Sequence, residues 1–323
     1  MRSTIATAIT LLASPALAEP LTVYAPDYFA SEWGPGPAIA AAFETATGEE
    51  LEYVTGDLLP RLLLEGERTR ADVVIGLNTD DAERARRTGL FAPHGVGIEG
   101  LTMPVEWTDR TFLPFNWGHT AFVYDSTKTD APESFQALLD APDDLSIAIQ
   151  DPRSSVSGLA LALWIQNVFG DEAEAAWAAL APKITTVTQG WSESYGLFTE
   201  GEVDMVLSYT TSPAYHIIAE GDDTKRAAIF PEGHYVMVET AAQVAGSDQP
   251  ELAQRFMDFV LSEDFQSIIP EGNWSFPARL APEKLPEGFA KLDLPETGLL
   301  YDSETAEALR DTAVAAFEAG LGR

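Results

Sequence analysis

The sequence predicts an α/β fold of two lobes with a ligand cleft between them. Three observations carry that reading. The chain has 323 residues, whereas domains commonly hold about 100–200 and a single core near this length approaches its practical limit. It opens on a β-α-β-α-β pattern, which builds a lobe whose ligands sit at the carboxyl ends of its strands. A second α/β series starts beyond residue 125, after extended runs suited to carry the chain from one lobe to another.

The first element is an export signal. Arg2 supplies a positive start, residues 5–17 an apolar stretch, and Ala16-Leu17-Ala18 a small-residue cleavage site, so the mature chain is expected to begin at Glu19. The stretch is interrupted by Thr7, Thr10 and Ser14 and is too short to span a bilayer. Residues 1–18 therefore read as a removable signal peptide, and no later segment is a membrane candidate.

Residues 21–24 are β-prone, and a loop over 25–36 ends in Gly34-Pro35-Gly36-Pro37. Pro37 suits the first turn of a helix in which Ile39, Ala42 and Phe43 recur at helical spacing until Thr47-Gly48 stops it. Residues 51–54 read as a second strand and 58–66 as a short amphipathic helix. Residues 71–76 form a largely apolar strand of the kind buried in a parallel sheet. Two extended runs follow, 112–115 and 120–124. The second series holds a strand at 146–149, a helix from about Gly158 to Phe169, an alanine-rich helix at 171–180 and a strand at 205–209. Residues 234–239 carry the chain back, and 252–261 and 303–319 are closing helices, the last with Ser303 at its amino terminus ahead of Glu304 and Glu307. The expected division is lobe 1 from 19–117 plus about 236–323, its C-terminal helices packing partly on lobe 2, and lobe 2 from 118–235.

Composition removes several function classes. The absence of cysteine excludes disulfides, thiolate metal sites, cysteine nucleophiles and a lipid-anchored N-terminal cysteine. A formal net charge of -32, from 51 acidic and 19 basic side chains, opposes binding to nucleic acid, which needs basic patches to neutralise phosphates. It favours cationic ligands, although much of this charge serves as a solvated surface that keeps an exported protein soluble.

Catalytic motifs are absent. His94, His119, His216 and His234 are far apart and form no metal-ligand spacing, so each reads as a surface or satisfied core residue. Gly190-Trp191-Ser192-Glu193-Ser194 approaches a nucleophile elbow but ends in serine instead of glycine. Gly34-Pro35-Gly36 lacks the third glycine of a dinucleotide loop, and its neighbouring prolines remove amide donors. No calcium loop occurs. No catalytic or metal-ligating residue is assigned, and the chain reads as a binding protein without cofactor.

Aromatic and hydroxyl residues, in contrast, cluster at strand ends and in loops, where sites are carried. Trp191 follows Gln189-Gly190, Tyr209-Thr210-Thr211-Ser212 ends a strand with Tyr215 just beyond, and Trp274 lies in Gly272-Asn273-Trp274. Together they can line one cleft. An aromatic face attracts a cation by roughly 0.5–2 kcal/mol, and the hydroxyls and amides of 210–212 suit a polar tail or phosphate. Ordinary core aromatics are the competing reading; Trp164 and Trp177, inside predicted helices, belong to it.

Six segments carry a resemblance: Trp33-Gly34-Pro35-Gly36-Pro37, residues 71–77, Gln150-Asp151-Pro152-Arg153, Gly190-Trp191-Ser192-Glu193, residues 207–216 and Gly272-Asn273-Trp274. They resemble, in order from about residue 20 to 280, the periplasmic thiamine-binding proteins of bacterial thiamine ABC transporters, most specifically over 207–216. The resemblance implies a type II periplasmic binding fold that closes on thiamine, thiamine monophosphate or thiamine diphosphate. It implies a periplasmic monomer, not inserted in the membrane, that serves an ABC permease with its ATPase. By motif position, Trp191, Tyr215 and Trp274 correspond to aromatic walls, and Ser155, Tyr209, Thr210, Thr211 and Ser212 to polar contacts. Asp27, Tyr28, Trp33 and the Gly56-Asp57 turn correspond to contacts from the first lobe. The chain departs from the family at three places: Pro26 stands where a tyrosine usually precedes the loop aspartate, with Tyr28 following Asp27 instead; the loop near Gly56 is a few residues shorter; and Val156 replaces a hydroxyl residue after Ser155. Alternatives are a ferric-ion or polyamine receptor of the same fold, the former typically using adjacent tyrosines that this chain lacks, and a secreted hydrolase using Ser155 or Ser192, for which no histidine is placed by motif.

Overall fold

Three short apolar strands open the described part of the chain, residues 19–322 of a computed structural model; the expected signal peptide lies outside the described residues. The strands β1 (Leu21–Ala25), β2 (Leu51–Thr55) and β3 (Val73–Asn78) run parallel with β1 central, Val23 facing Tyr53 on one side and Val73 on the other. Between them lie α1 (Asp27–Ala30), α2 (Gly36–Thr47) and α3 (Leu58–Glu65), and α4 (Thr79–Arg86) follows. Gly48 stops α2 in the left-handed region at φ 77, where only glycine avoids a Cβ penalty. Asn78 starts α4 by accepting the amides of Asp80 and Asp81, which satisfies donors the helix leaves orphaned.

Next comes β4 (Leu113–Asp125), and then α5 (Phe135–Leu139), β5 (Ile147–Gln150), α6 (Val156–Phe169), α7 (Ala173–Leu180), β6 (Ile184–Thr188), α8 (Trp191–Glu200), β7 (Met205–Tyr209), α9 (Ser212–Tyr215) and β8 (Lys225–Ala227). The return is β9 (His234–Gln243), followed by α10 (Pro250–Val260), α11 (Glu263–Gln266), α12 (Ile269–Gly272), β10 (Phe276–Pro277), β11 (Gly298–Leu299) and α13 (Ser303–Gly320). The main strand order is β2-β1-β3-β9-β4-β7-β5-β6. Up to His119, β4 pairs antiparallel with β9; from Thr120 onward it pairs with β7. One strand thus joins the strand pairing of both halves.

Each half has its own core. On the first, Val23, Phe29, Phe43, Phe115 and Phe256 pack one face and Tyr24, Leu62, Val74 and Phe112 the other. On the second, Phe122, Phe135, Trp164, Trp177 and Phe230 are fully or almost fully buried, so the two helical tryptophans are core residues, as the sequence suggested. The last helix joins both: Ala306, Ala313 and Phe317 enter the second core, while Arg310 donates to the Asp80 carbonyl at 2.7 Å and to Asp81 Oδ1 at 2.8 Å on α4.

Several sequence expectations are corrected here. The runs 112–115 and 120–124 are one strand, because Asn116, Trp117, Gly118 and His119 continue the ladder against β9. The loop 25–36 contains the turn of helix α1, which Pro26 starts in extended geometry and Asp27 supports with an acid in the first turn. Helix α6 begins at Val156 and not at Gly158. The apolar strand near 71–76 runs as β3 from Val73, parallel to β1 but antiparallel to β9 on its other edge. The final helix is capped by Asp302, whose Oδ1 accepts the Thr305 amide at 2.9 Å; aspartate caps at least as well as serine, so Ser303 falls inside the first turn. Of the four buried histidines, His94, His216 and His234 have bonded ring nitrogens, but neither nitrogen of His119 has a partner among the described residues. Burial pushes His119 down to about 3, so its ring is neutral.

Candidate ligand-binding site

The carboxyl ends of parallel strands present their loops to a common edge, and here β1 and β2 place Asp27, Tyr28, Gly56 and Asp57 together. Thr55 pairs with Ala25, and Gly56 turns the chain at φ 138, a backbone conformation that favours glycine. The Asp27 and Asp57 carboxylates are exposed and make no hydrogen bond or ion pair among the described residues. Tyr28 is half exposed while its hydroxyl donates to Glu239. Gly34 is required by the turn that follows: a Cβ there would lie 2.1 Å from the Tyr28 carbonyl oxygen. Trp33, in that turn, is 84% exposed and makes no ring contact with the other aromatics.

The second half supplies a run of rings. Trp191 opens α8, stacks on Tyr195 with centroids 4.6 Å apart, and donates from Nε1 to Ser208 Oγ at 2.8 Å. Tyr195 lies parallel to His216 and shares a 2.9 Å hydrogen bond with it. Tyr215 meets Trp274 edge-on at 5.3 Å, so rings from both sides touch. Trp274 is the one non-glycine residue with positive φ among the described residues, at 48, a strained conformation of the sort that gathers at functional sites.

Hydroxyls line the gap between these rings. Ser155 and Ser157 are 3.0 Å apart, Ser157 bonds the Tyr209 side chain, and Ser208 and Ser212 are 2.6 Å apart. Burial pushes the Tyr209 hydroxyl up, which keeps it a neutral donor. Ser155 and Val156 start α6, whose first amides have no acceptor inside the helix and no side-chain cap. Thr210 and Thr211 are both buried, and the Thr210 hydroxyl has no partner among the described residues; the Thr210 amide donates to the His119 carbonyl.

The approach of α6 depends on Gly158, where a Cβ would sit 2.5 Å from the Gln150 carbonyl oxygen and 2.7 Å from the Asp151 carbonyl carbon. Gly158→Ala is therefore expected to destabilise the protein by about 1–3 kcal/mol, as overpacking against backbone does. Denaturant unfolding checks this, and an unchanged midpoint would show that the helix can shift freely.

Sequence reasoning missed Glu239. It is 5% exposed and sits in β9 between Asn78 and Asn116. Oε1 accepts Tyr28, and Oε2 accepts Asn116 Nδ2 at 2.5 Å and Asn273 Nδ2 at 2.7 Å. Burial raises its pKa against the pull of those three donors. The available signal was an acid inside an otherwise apolar strand, since buried glutamates are rare unless paired.

Exposed apolar side chains mark the same place. Eight large ones are exposed among the described residues, and Tyr28, Trp33, Val156, Trp191 and Tyr215 account for five of them; such surface is normally covered by a partner or ligand. A cavity of about 250 Å³ near Pro213 is lined by charged residues, of which Lys225 pairs with Asp125 and Asp222 and Arg226 with Asp293, and holds none of the aromatic rings. Among the described residues no group of three or more His, Cys, Asp or Glu could hold a metal ion, and no helix is long and apolar enough to cross a membrane.

Residues 35–267 match the family of bacterial extracellular solute-binding proteins. The chain is 47% identical to the thiamine-binding periplasmic protein of Escherichia coli (strain K12), over 97% of each chain, and 45% identical to that of Brucella abortus biovar 1, over 87% of this chain and 85% of the other. A solved periplasmic thiamin binding protein superposes with a TM-score of 0.88 at 47% identity, covering 94% of this chain and 96% of that one. Iron-bound HitA from Pseudomonas aeruginosa superposes with a TM-score of 0.75 at 22% identity, covering 93% and 99%, a likeness of fold alone.

Proposed function

The chain belongs to the family of bacterial extracellular solute-binding proteins, and from that premise we propose that it captures thiamine in the aromatic cleft and delivers it to an ABC importer. It is a binding protein and not an enzyme. The observation that carries the ligand is the edge-on meeting of Tyr215 with Trp274, beside the exposed rings of Trp191 and Tyr28, in a chain whose relatives are named for thiamine at 47% identity. Thiamine offers two flat rings, one a permanent cation, and stacking on aromatic faces suits both.

Finer parts of the reading are proposed with it. Thiamine monophosphate and diphosphate would extend toward Ser155, Ser157 and the free amides at the start of α6, where a helix terminus favours negative charge. The lobes would be 19–117 with 236–323 and 118–235, closing about β4 and β9. The protein would act as a periplasmic monomer after removal of residues 1–18, with a permease and its ATPase as partners.

Calorimetric titration with thiamine, its two phosphates, spermidine and ferric citrate tests the reading; binding of the thiamine forms above the other two is expected, and no heat with any of them would refute it. Trp191→Ala is expected to weaken thiamine binding by roughly 1–3 kcal/mol, the range for bases stacked on aromatic side chains. Unchanged affinity in that variant would remove Trp191 from the site.

A further inference from the structure

Resting on the thiamine reading, we propose that Tyr28, held on the buried Glu239, is the element of this cleft that distinguishes a cationic ring from a neutral one of the same shape. Glu239 accepts three neutral donors, from Tyr28, Asn116 and Asn273. A carboxylate accepts and cannot donate, and none of these partners brings positive charge; the three donors favour the ionised form while burial opposes it. An uncompensated charge at this depth is costly. A cation in the cleft offsets that cost, and Tyr28 lies on the route to it.

The geometry of Tyr28 suits this role. Its hydroxyl end is sunk against Glu239, and burial followed by the Glu239 charge holds its pKa well above the usual phenol value. The residue is nevertheless half exposed, so the ring faces outward at the carboxyl end of β1. A phenol donating to a carboxylate takes on part of its negative charge, and a more electron-rich face attracts a cation more strongly. The same carboxylate holds Asn273, the residue before Trp274, so a second ring of the cleft follows a residue on the same anchor. The aromatic absent at Pro26 is thereby replaced two residues later by one with its own buried charge.

The test compares thiamine with its neutral isostere, in which a thiophene ring replaces the thiazolium, on the parent, Glu239→Gln and Tyr28→Phe. The parent should prefer thiamine, and Glu239→Gln should reduce that preference by about tenfold, within the span of cation–aromatic energies. Tyr28→Phe should reduce it several-fold, the preference being read in each variant as the ratio of its two affinities. A preference unchanged in the variants, or equal loss of both ligands, overturns the proposal. Thermal unfolding reports whether each variant folds; if Glu239→Gln does not, Tyr28→Phe decides, since it leaves the carboxylate in place. A parent that binds thiamine while the variants keep its preference leaves the thiamine reading standing and removes only the role of Tyr28 and Glu239. A parent that binds neither compound sinks both.

Discussion

Trp164→Ala is expected to lower stability by about 3–5 kcal/mol, the range for truncating a large buried aromatic. Trp164 is fully buried on α6. Its ring lies 4.6 Å from Phe135, 4.7 Å from His234 and 5.7 Å from Phe230, and its Nε1 donates to the Gly233 carbonyl at 2.9 Å. Truncation opens a cavity among rings that cannot collapse together and strands a carbonyl at the start of β9. Denaturant unfolding of the mature chain measures the loss. Saturating thiamine should raise the midpoint of parent and variant alike, because ligand that binds only the folded form stabilises by mass action. A loss below about 1 kcal/mol would mean that the second core repacks around the gap.

Asp80 should make stability depend on pH in an unusual direction. Burial, joined by the charge of the neighbouring Asp81, pushes its carboxyl up to about 7 against the hydrogen bond from Tyr235 and the attraction of Arg310. The unfolded chain titrates near the ordinary value of about 3.9. The folded state therefore holds the proton more tightly: the contribution is complete below about pH 4, falls as the pH rises toward 7, and is flat above. Asp80→Asn keeps an acceptor for the Tyr235 hydroxyl, which donates at 2.9 Å, and removes the charge. The variant should gain on the order of 2–4 kcal/mol relative to the parent between pH 4 and pH 8, at about 1.4 kcal/mol per pKa unit. Urea unfolding at the two pH values measures the difference, and a constant offset would place Asp80 in the ordinary carboxylate range.

What the sequence could show depended on how local the cause was. The strands β1, β2, β5 and β7 were legible as short apolar runs, and Gly48 marked the end of α2 because its conformation is a property of one residue. The continuity of β4 was not, because Asn116 to His119 join the strand through β9, more than a hundred residues away in the chain. Trp191, Tyr215 and Trp274 stood out because large rings in loops are conspicuous, whereas their convergence came from family resemblance and not from spacing. Thr210 and Thr211 read as ligand contacts from their place at a strand end, and burial at that point is set by His119 on another strand. Glu239 was hidden for the opposite reason: one acid in a strand reads as a solvated edge until Tyr28, Asn116 and Asn273 are seen around it.

The pairing of β3 with β9 also dictates an order of events during synthesis. Val73 pairs with Val23 on one edge but finds its partner on the other only at Gln243, and the first core is completed by Phe256 and Phe265. The opening strands of a nascent chain thus carry an unpaired edge while the whole second series emerges and condenses on its own local contacts. Such delayed closure makes for slow assembly and for a long interval in which an exposed edge is open to wrong partners. A chain halted near residue 235 would hold a second half still lacking the α13 side chains of its core and a first half still waiting for its fourth strand.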